Sequence, residues 1–274
     1  MKYTVILIFT LFTKVFFAQK IVETFNLSKI LDETSGLEIV GNSLVTINDS
    51  GNESTLYFMN KKGKIISERK VTGFKNIDWE DIAKDEEFIY VADIGNNYDT
   101  RKNLSIIKIP INENSVYNIS EIKFNYPEQV DFKFNRKSRF DAEALVSVGD
   151  FLIIFTKNRA TKTTDIYKLP KTPGAYEAEK IGNLNTQSIV TGADFDSKTQ
   201  TLVLTSTIDF NNYYVLIVND FSISNPENLS IDMFEIPIGK CQVESVKFIN
   251  SKTFWITSED ERRSTNARLM KLKL

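Results

Sequence analysis

The stretch DWEDIAKDEEFIYVADIGNN, residues 78–97, decides the fold. FIYVADI is a strand-length run of apolar, β-branched and aromatic residues that halts at polar turn residues. DWEDIAK before it is a shorter strand pattern. The same pair opens four more units. TSGLEIV (34–40), DAEALVS (141–147), TGADFDS (191–197) and QVESVKF (242–248) align with DWEDIAK on the apolar anchors Leu37, Ile82, Leu145, Phe195 and Val246. A stronger strand follows each, reaching Asp49, Asp93, Thr156, Thr205 and Thr257, ten to twelve residues past the anchor.

Third strands follow at TLYFMNK, LSIIKIP, TDIYKLP, YYVLIVN and RLMKLKL, and fourth strands at KIISERK, EIKFNYP, YEAEKIG and IDMFEIP. Units that cannot bury both faces alone must stack around an axis, and four antiparallel strands per unit make a propeller blade. The fifth unit lacks its fourth strand because the sequence stops at Leu274. KIVETFNL (20–27) can supply it from the other end, closing the ring and hiding two sheet edges. The expected fold is therefore all-β, a propeller of five four-stranded antiparallel blades in one domain over 19–274. Six is the alternative count, because DFKFNRKSRF (131–140) has room for a degenerate strand pair.

Composition narrows the chemistry. The chain is 42% hydrophobic and 26% charged with a net charge of −2, so it can build a core and carries no basic stripe for nucleic acid. It has no histidine, which removes Ser-His-Asp and Cys-His catalysis and His-ligated zinc. The single Cys241 is read as a buried small hydrophobe, and Trp79 and Trp255 as core residues. MKYTVILIFTLFTKVFFAQ starts basic, continues apolar from Tyr3 to Phe12 and offers Ala18 before a cleavage point. Residues 1–18 thus read as a secretory signal peptide, placing the mature protein in the periplasm or outside the cell. No later stretch is apolar enough to span a membrane, and the protein is expected to be a monomer.

In a propeller, the loop entering strand one and the loop leaving strand two share one rim. TINDSGN (46–52) and VADIGNN (91–97) both end in Asp-x-Gly-Asn, so the two turns are expected in equivalent places on that rim. Two residues before the anchors stand Ser35, Glu80, Glu143, Ala193 and Glu244; one residue before stand Gly36, Asp81, Ala144, Asp194 and Ser245. Carboxylates converging in a narrow mouth repel each other, and a hard cation relieves that cost. Glu80, Glu143, Asp194 and Glu244 are the candidate metal ligands, and calcium suits an all-oxygen set. Asp49, Asn52, Asn96, Arg101 and Lys157 are candidates for contact with a small ligand. The alternative is that Lys157 and Arg262 or Arg263 neutralise the acids.

SGL with NDSGN and LYF, then DWEDIA and DIGNN with Arg101, then DAEAL, resemble secreted bacterial propellers. These are allied to the calcium-dependent lactonase and phosphotriesterase propellers, the NHL-like propellers and the esterase-like phytases. The resemblance spans residues 33–170. It implies that a central glutamate on strand one holds calcium, a role falling by position on Glu80, Glu143 or Glu244. Thr205 and Thr257 depart from the pattern where further aspartates would stand. Three functions follow as expectations. The first is a propeller binding a divalent cation and a small anionic or hydroxylated ligand, such as an envelope component. The second is a calcium-dependent hydrolase of an ester, lactone or phosphoester, with Glu143, Glu80 and Asp93 as catalytic candidates. The third is a protein-interaction platform.

Overall fold

A computed structural model of the protein describes residues 19–114, 118–239, 241–260 and 266–274. The expected signal peptide and Arg262 and Arg263 lie outside the described residues. The strands form five sheets. The first blade is β2 (Thr34–Val40), β3 (Ser43–Asn48), β4 (Thr55–Met59) and β5 (Ile65–Lys70). The second is β6 (Trp79–Lys84), β7 (Phe88–Asp93), β8 (Leu104–Pro110) and β9 (Ser120–Asn125). The third is β10 (Ala142–Val148), β11 (Phe151–Thr156), β12 (Thr164–Pro170) and β14 (Glu179–Leu184). The fourth is β15 (Ile189–Asp196), β16 (Thr201–Thr207), β17 (Tyr213–Val218) and β18 (Ile231–Glu235). The fifth is β19 (Val243–Asn250), β20 (Thr253–Ser258), β21 (Arg268–Lys273) and the N-terminal β1 (Lys20–Asn26).

The ring closes as expected, with β1 antiparallel to β21 from Lys20 opposite Lys273 to Asn26 opposite Arg268. The inner strands are apolar on both faces because a neighbouring blade covers each face. Five clusters of buried side chains fill the five spaces between blades. Val45 and Leu56 meet Ile82 and Val91 between blades one and two, and Tyr90 and Ile106 meet Leu145 and Tyr167 between two and three. Phe155 meets Leu204 and Leu216, Val203 and Val215 meet Ile256 and Met270, and Trp255 and Leu269 return to Leu37 and Tyr57. Trp79, Trp255 and Cys241 are all buried in these spaces.

Two expectations need correction. YEAEKIG does not form one strand. Gly174–Glu177 is a separate strand, β13, which pairs in parallel with β9 as a fifth strand of blade two. The chain crosses back at Ala178, which is fully buried and donates its N–H to Asn125 O at 2.9 Å, and only then forms β14. The stretch 131–140 holds no strands, so no sixth blade exists there. Among the described residues no helix is long and apolar enough to cross a membrane.

Candidate metal centre

The rim is built by one hydrogen bond that recurs in blades one, two, three and five. The first residue past strand two donates its N–H back to the residue before strand one. Asp49 bonds Glu33 O at 2.8 Å, Lys157 bonds Asp141 O at 2.7 Å and Glu259 bonds Gln242 O at 2.9 Å. Blade two reaches the equivalent bond one residue later, from Gly95 to Asp78 O at 3.2 Å. The rim slot is therefore held by Asp49, Gly95, Lys157 and Glu259. The two Asp-x-Gly-Asn turns are thus not equivalent. Asp93 still pairs within the ladder, opposite Trp79, whereas Asp49 lies beyond it. Gly51 needs its left-handed φ of 78°, whereas Gly95 is needed for space.

Strand one carries a bulge in blades two to five, where the ladder skips Glu80, Glu143, Thr191 and Glu244. A bulge leaves its residue unpaired and re-aims the side chain. Glu80 and Glu143 are buried there and Glu244 is half-buried. In blade four the bulge holds Thr191, whose hydroxyl donates to Val243 O at 2.7 Å. Alignment on Phe195 ran two residues late, since Ala193 is the residue in register with Ile82, Leu145 and Val246. Asp194 therefore lies deeper, level with Glu38 and Lys247. Lys247 Nζ is 2.7 Å from both Asp194 and Glu38, and Phe248 N–H donates to Asp194 at 2.8 Å. Asp194 does not join the rim acids. Asp81 separates the two levels, accepting N–H bonds from Ile82 at 2.8 Å and Leu145 at 2.9 Å.

The acids that do converge are Asp49, Asp78 and Glu80, each offering an oxygen within 4.8 Å of the others. Among the described residues, none of the three forms an ion pair. Burial, then Asp49 and Asp141, push the Asp78 carboxyl up to about 6. Burial, then Asp49, Asp141 and Asp78, hold Glu80 well above the usual carboxylate range. Burial also raises Asp49, although the Ser50 N–H opposes it. Beside them, burial and then the Asp49 charge push Glu259 to about 8, against a hydrogen bond from Gln242.

The surrounding charges are matched. Glu143 pairs with Lys157, both buried, and leaves its Oε2 buried without a hydrogen-bond partner. Asp93 pairs with Arg101 at 2.7 Å and Asp141 with Arg159 at 3.0 Å. Asn96 is buried and holds the loop, receiving the Arg101 N–H at 2.9 Å and giving its own N–H to Asp141 at 2.7 Å. Asn52 donates to Glu33 at 2.5 Å and to Asp49 O at 3.1 Å. Of the expected ligand contacts, Asp49 and Lys157 thus belong to the mouth, whereas Asn96 and Arg101 brace a turn.

Sequence reasoning missed Asp78, Glu259 and Arg159. One signal for Asp78 was present: Asp-x-Glu is spelled at both 78–80 and 141–143. The donor set fits a hard cation. Two oxygens on opposite sides of a calcium ion lie at most about 5 Å apart, given bonds of about 2.3–2.6 Å. The triad spans no more than that, and its donors are oxygens alone.

No protein family of known description matches the sequence, and no curated protein matches it. The fold does have solved counterparts. The chain is similar to the PQQ-bound form of an aldose sugar dehydrogenase from Streptomyces coelicolor, with a TM-score of 0.55 and 10% identity, over 93% of this chain and 98% of that one. It is also similar to an exo-beta-1,3-galactanase from Phanerochaete chrysosporium bearing beta-1,3-galactotriose, with a TM-score of 0.53 and 10% identity, over 93% of this chain and 64% of that one. At that identity the likeness carries the fold alone, and the chain stands as a five-bladed β-propeller.

Proposed function

We propose that the protein binds a divalent cation, calcium by preference, at Asp49, Asp78 and Glu80, and through it a small anionic or hydroxylated ligand at the channel mouth. One observation carries this reading: these three carboxylates converge without a basic partner, while Asp93, Asp141 and Glu143 around them each have one. One buried and two half-buried like charges at this spacing favour the uptake of protons or a cation. Calcium accepts six to eight oxygens, more than the triad supplies, so positions remain for water or a ligand oxygen. Lys157 stands close enough to stabilise the Glu80 charge and favours an anion at the same mouth.

A second reading, hydrolysis of an ester, lactone or phosphoester, draws on Glu259. A carboxyl titrating at about 8 can hold or release a proton near neutrality, which no histidine is present to do. Asp93 and Glu143, proposed above from sequence as catalytic, are held in ion pairs, so Glu80 and Glu259 become the better candidates. The deciding experiment is calorimetric titration of calcium into EDTA-stripped protein. Wild type should bind one ion, and Asp78→Asn with Glu80→Gln should bind none. Equal binding by wild type and the double variant would reject the site.

A further inference from the structure

The longest connection between described strands, residues 126–141 from β9 to β10, has no strand of its own, yet it is tightly held. Asp99 organises it. This buried residue, in the left-handed region at φ 55°, accepts hydrogen bonds from Ser138 Oγ at 2.5 Å, Asn135 Nδ2 at 2.8 Å and Phe140 N at 2.9 Å. Gln129 Nε2 reaches Asp99 O at 2.7 Å, and Asn135 N reaches Tyr98 O at 3.0 Å. Long ordered loops without secondary structure usually serve a function, because ordering them has a large entropic cost.

What this scaffold presents is unusual for a surface. Phe134 is 62% exposed and Tyr98 49% exposed, and their rings stack at 4.5 Å and 19°. Tyr98 therefore backs one face of Phe134 and leaves the other open. Arg136 and Arg159 flank the pair, and with Asn97 they enclose a cleft of about 330 Å³, at the low end for small-molecule sites. Arg136 forms no ion pair among the described residues. Arg159 donates to Asn97 Oδ1 at 2.6 Å and Asp141 at 3.0 Å, while its Nε is buried without a partner.

An occupant of this cleft must be apolar on one ring face, anionic at one edge and hydroxylated enough to meet Asn97. A purely apolar partner or a neutral sugar would leave the Arg136 guanidinium without a counter-charge and the buried Arg159 Nε without an acceptor. We propose that the cleft binds an acidic sugar, a pyranose laid on the open face of Phe134 with its carboxylate towards Arg136 and Arg159. The site is separate from Asp49, Asp78 and Glu80 and needs no cation.

The test is calorimetric titration in EDTA, which keeps this site distinct from the cation centre, with a hexuronate trisaccharide, its methyl ester and AMP as probes. The uronate should bind, and the ester and AMP should each bind at least about tenfold more weakly, since the charged hydrogen bonds or the ring shape are lost. Phe134→Ala and Arg136→Gln should each weaken uronate binding about tenfold with an unchanged melting temperature. Absence of uronate binding at millimolar concentration would overturn the proposal. So would equal affinity for the ester, tighter binding of AMP, or variants that bind as wild type does.

Discussion

Gly95 and Glu80 cannot both carry a side chain where they stand: a Cβ on Gly95 would collide with Oε1 of Glu80 and with the Asp78 carboxylate. The rim slot is charged at Asp49, Lys157 and Glu259, and in blade two it is emptied so that two carboxylates can enter. Gly95→Ala is therefore expected to push Asp78 and Glu80 apart. Overpacking of this kind costs about 1–3 kcal/mol. Thermal melts of the variant should show this loss without calcium, together with a calcium-induced rise less than half that of wild type. A full calcium response in Gly95→Ala would show that the triad does not hold the ion.

Asp78 and the neighbouring Glu259 also fix a dependence on pH. Asp78 rises from 3.8 to about 6 and Glu259 from 4.5 to about 8 on folding. The folded state then binds protons more tightly than the unfolded one. Stability is greatest while both groups are protonated and falls as pH rises through these windows. Cation-free protein should melt at progressively lower temperature from pH 5 to pH 8. Saturating calcium should flatten that slope, adding about 2.7 kcal/mol at a hundredfold excess over its dissociation constant, or about 5–10 °C at neutral pH. A slope in EDTA identical to that in calcium would count against a cation at the mouth.

How far the sequence discloses this arrangement depends on which force sets each feature. Blade strands are legible because two-sided burial writes continuous apolar runs such as Phe88–Ala92, and ring closure is legible because the last unit spells three strands while a spare one stands at Lys20–Asn26. Bulges are not, since no composition marks them. That is why the anchors align Ala193 with Glu80, and Asp194 with Asp81, although Thr191 occupies the bulge. Glu259 escaped because its role depends on the slot past strand two, which is defined by a backbone bond to Gln242. The carboxylate of Asp99, which organises the long loop, has partners thirty-six and more residues away.

Ring closure predicts a folding defect on truncation. β1 contributes Phe25 and Ile21 to the cores beside blade five, and Leu27 just after it is buried. Removing residues 19–27 would expose this apolar surface and the edge of β21, an open template for pairing with other chains. The truncated protein should aggregate in size-exclusion chromatography at concentrations where the intact propeller is a single species. A monodisperse truncation with an unchanged melting temperature would show that β1 does not hold the ring.

The opposite end of the channel provides the control for the mouth. Burial alone would lower the Lys247 ammonium, but Asp194 and Glu38 outweigh it and hold it above its usual value. The same burial raises Glu38 despite Lys247. The three groups join strand one of blades one, four and five into a single buried network. Lys247→Met would leave two carboxylates buried without their counter-charge, and breaking such a pair costs about 3–5 kcal/mol. Asp194→Asn should cost less, because Glu38 still pairs with Lys247. Neither variant touches Asp49, Asp78 or Glu80, so calcium affinity at 25 °C should stay within about twofold of wild type for any variant that remains folded. The comparison separates the two ends directly. If Asp194→Asn abolished calcium binding while Glu80→Gln preserved it, the cation would belong at the Lys247 end, and the mouth acids would be no more than a solvated rim.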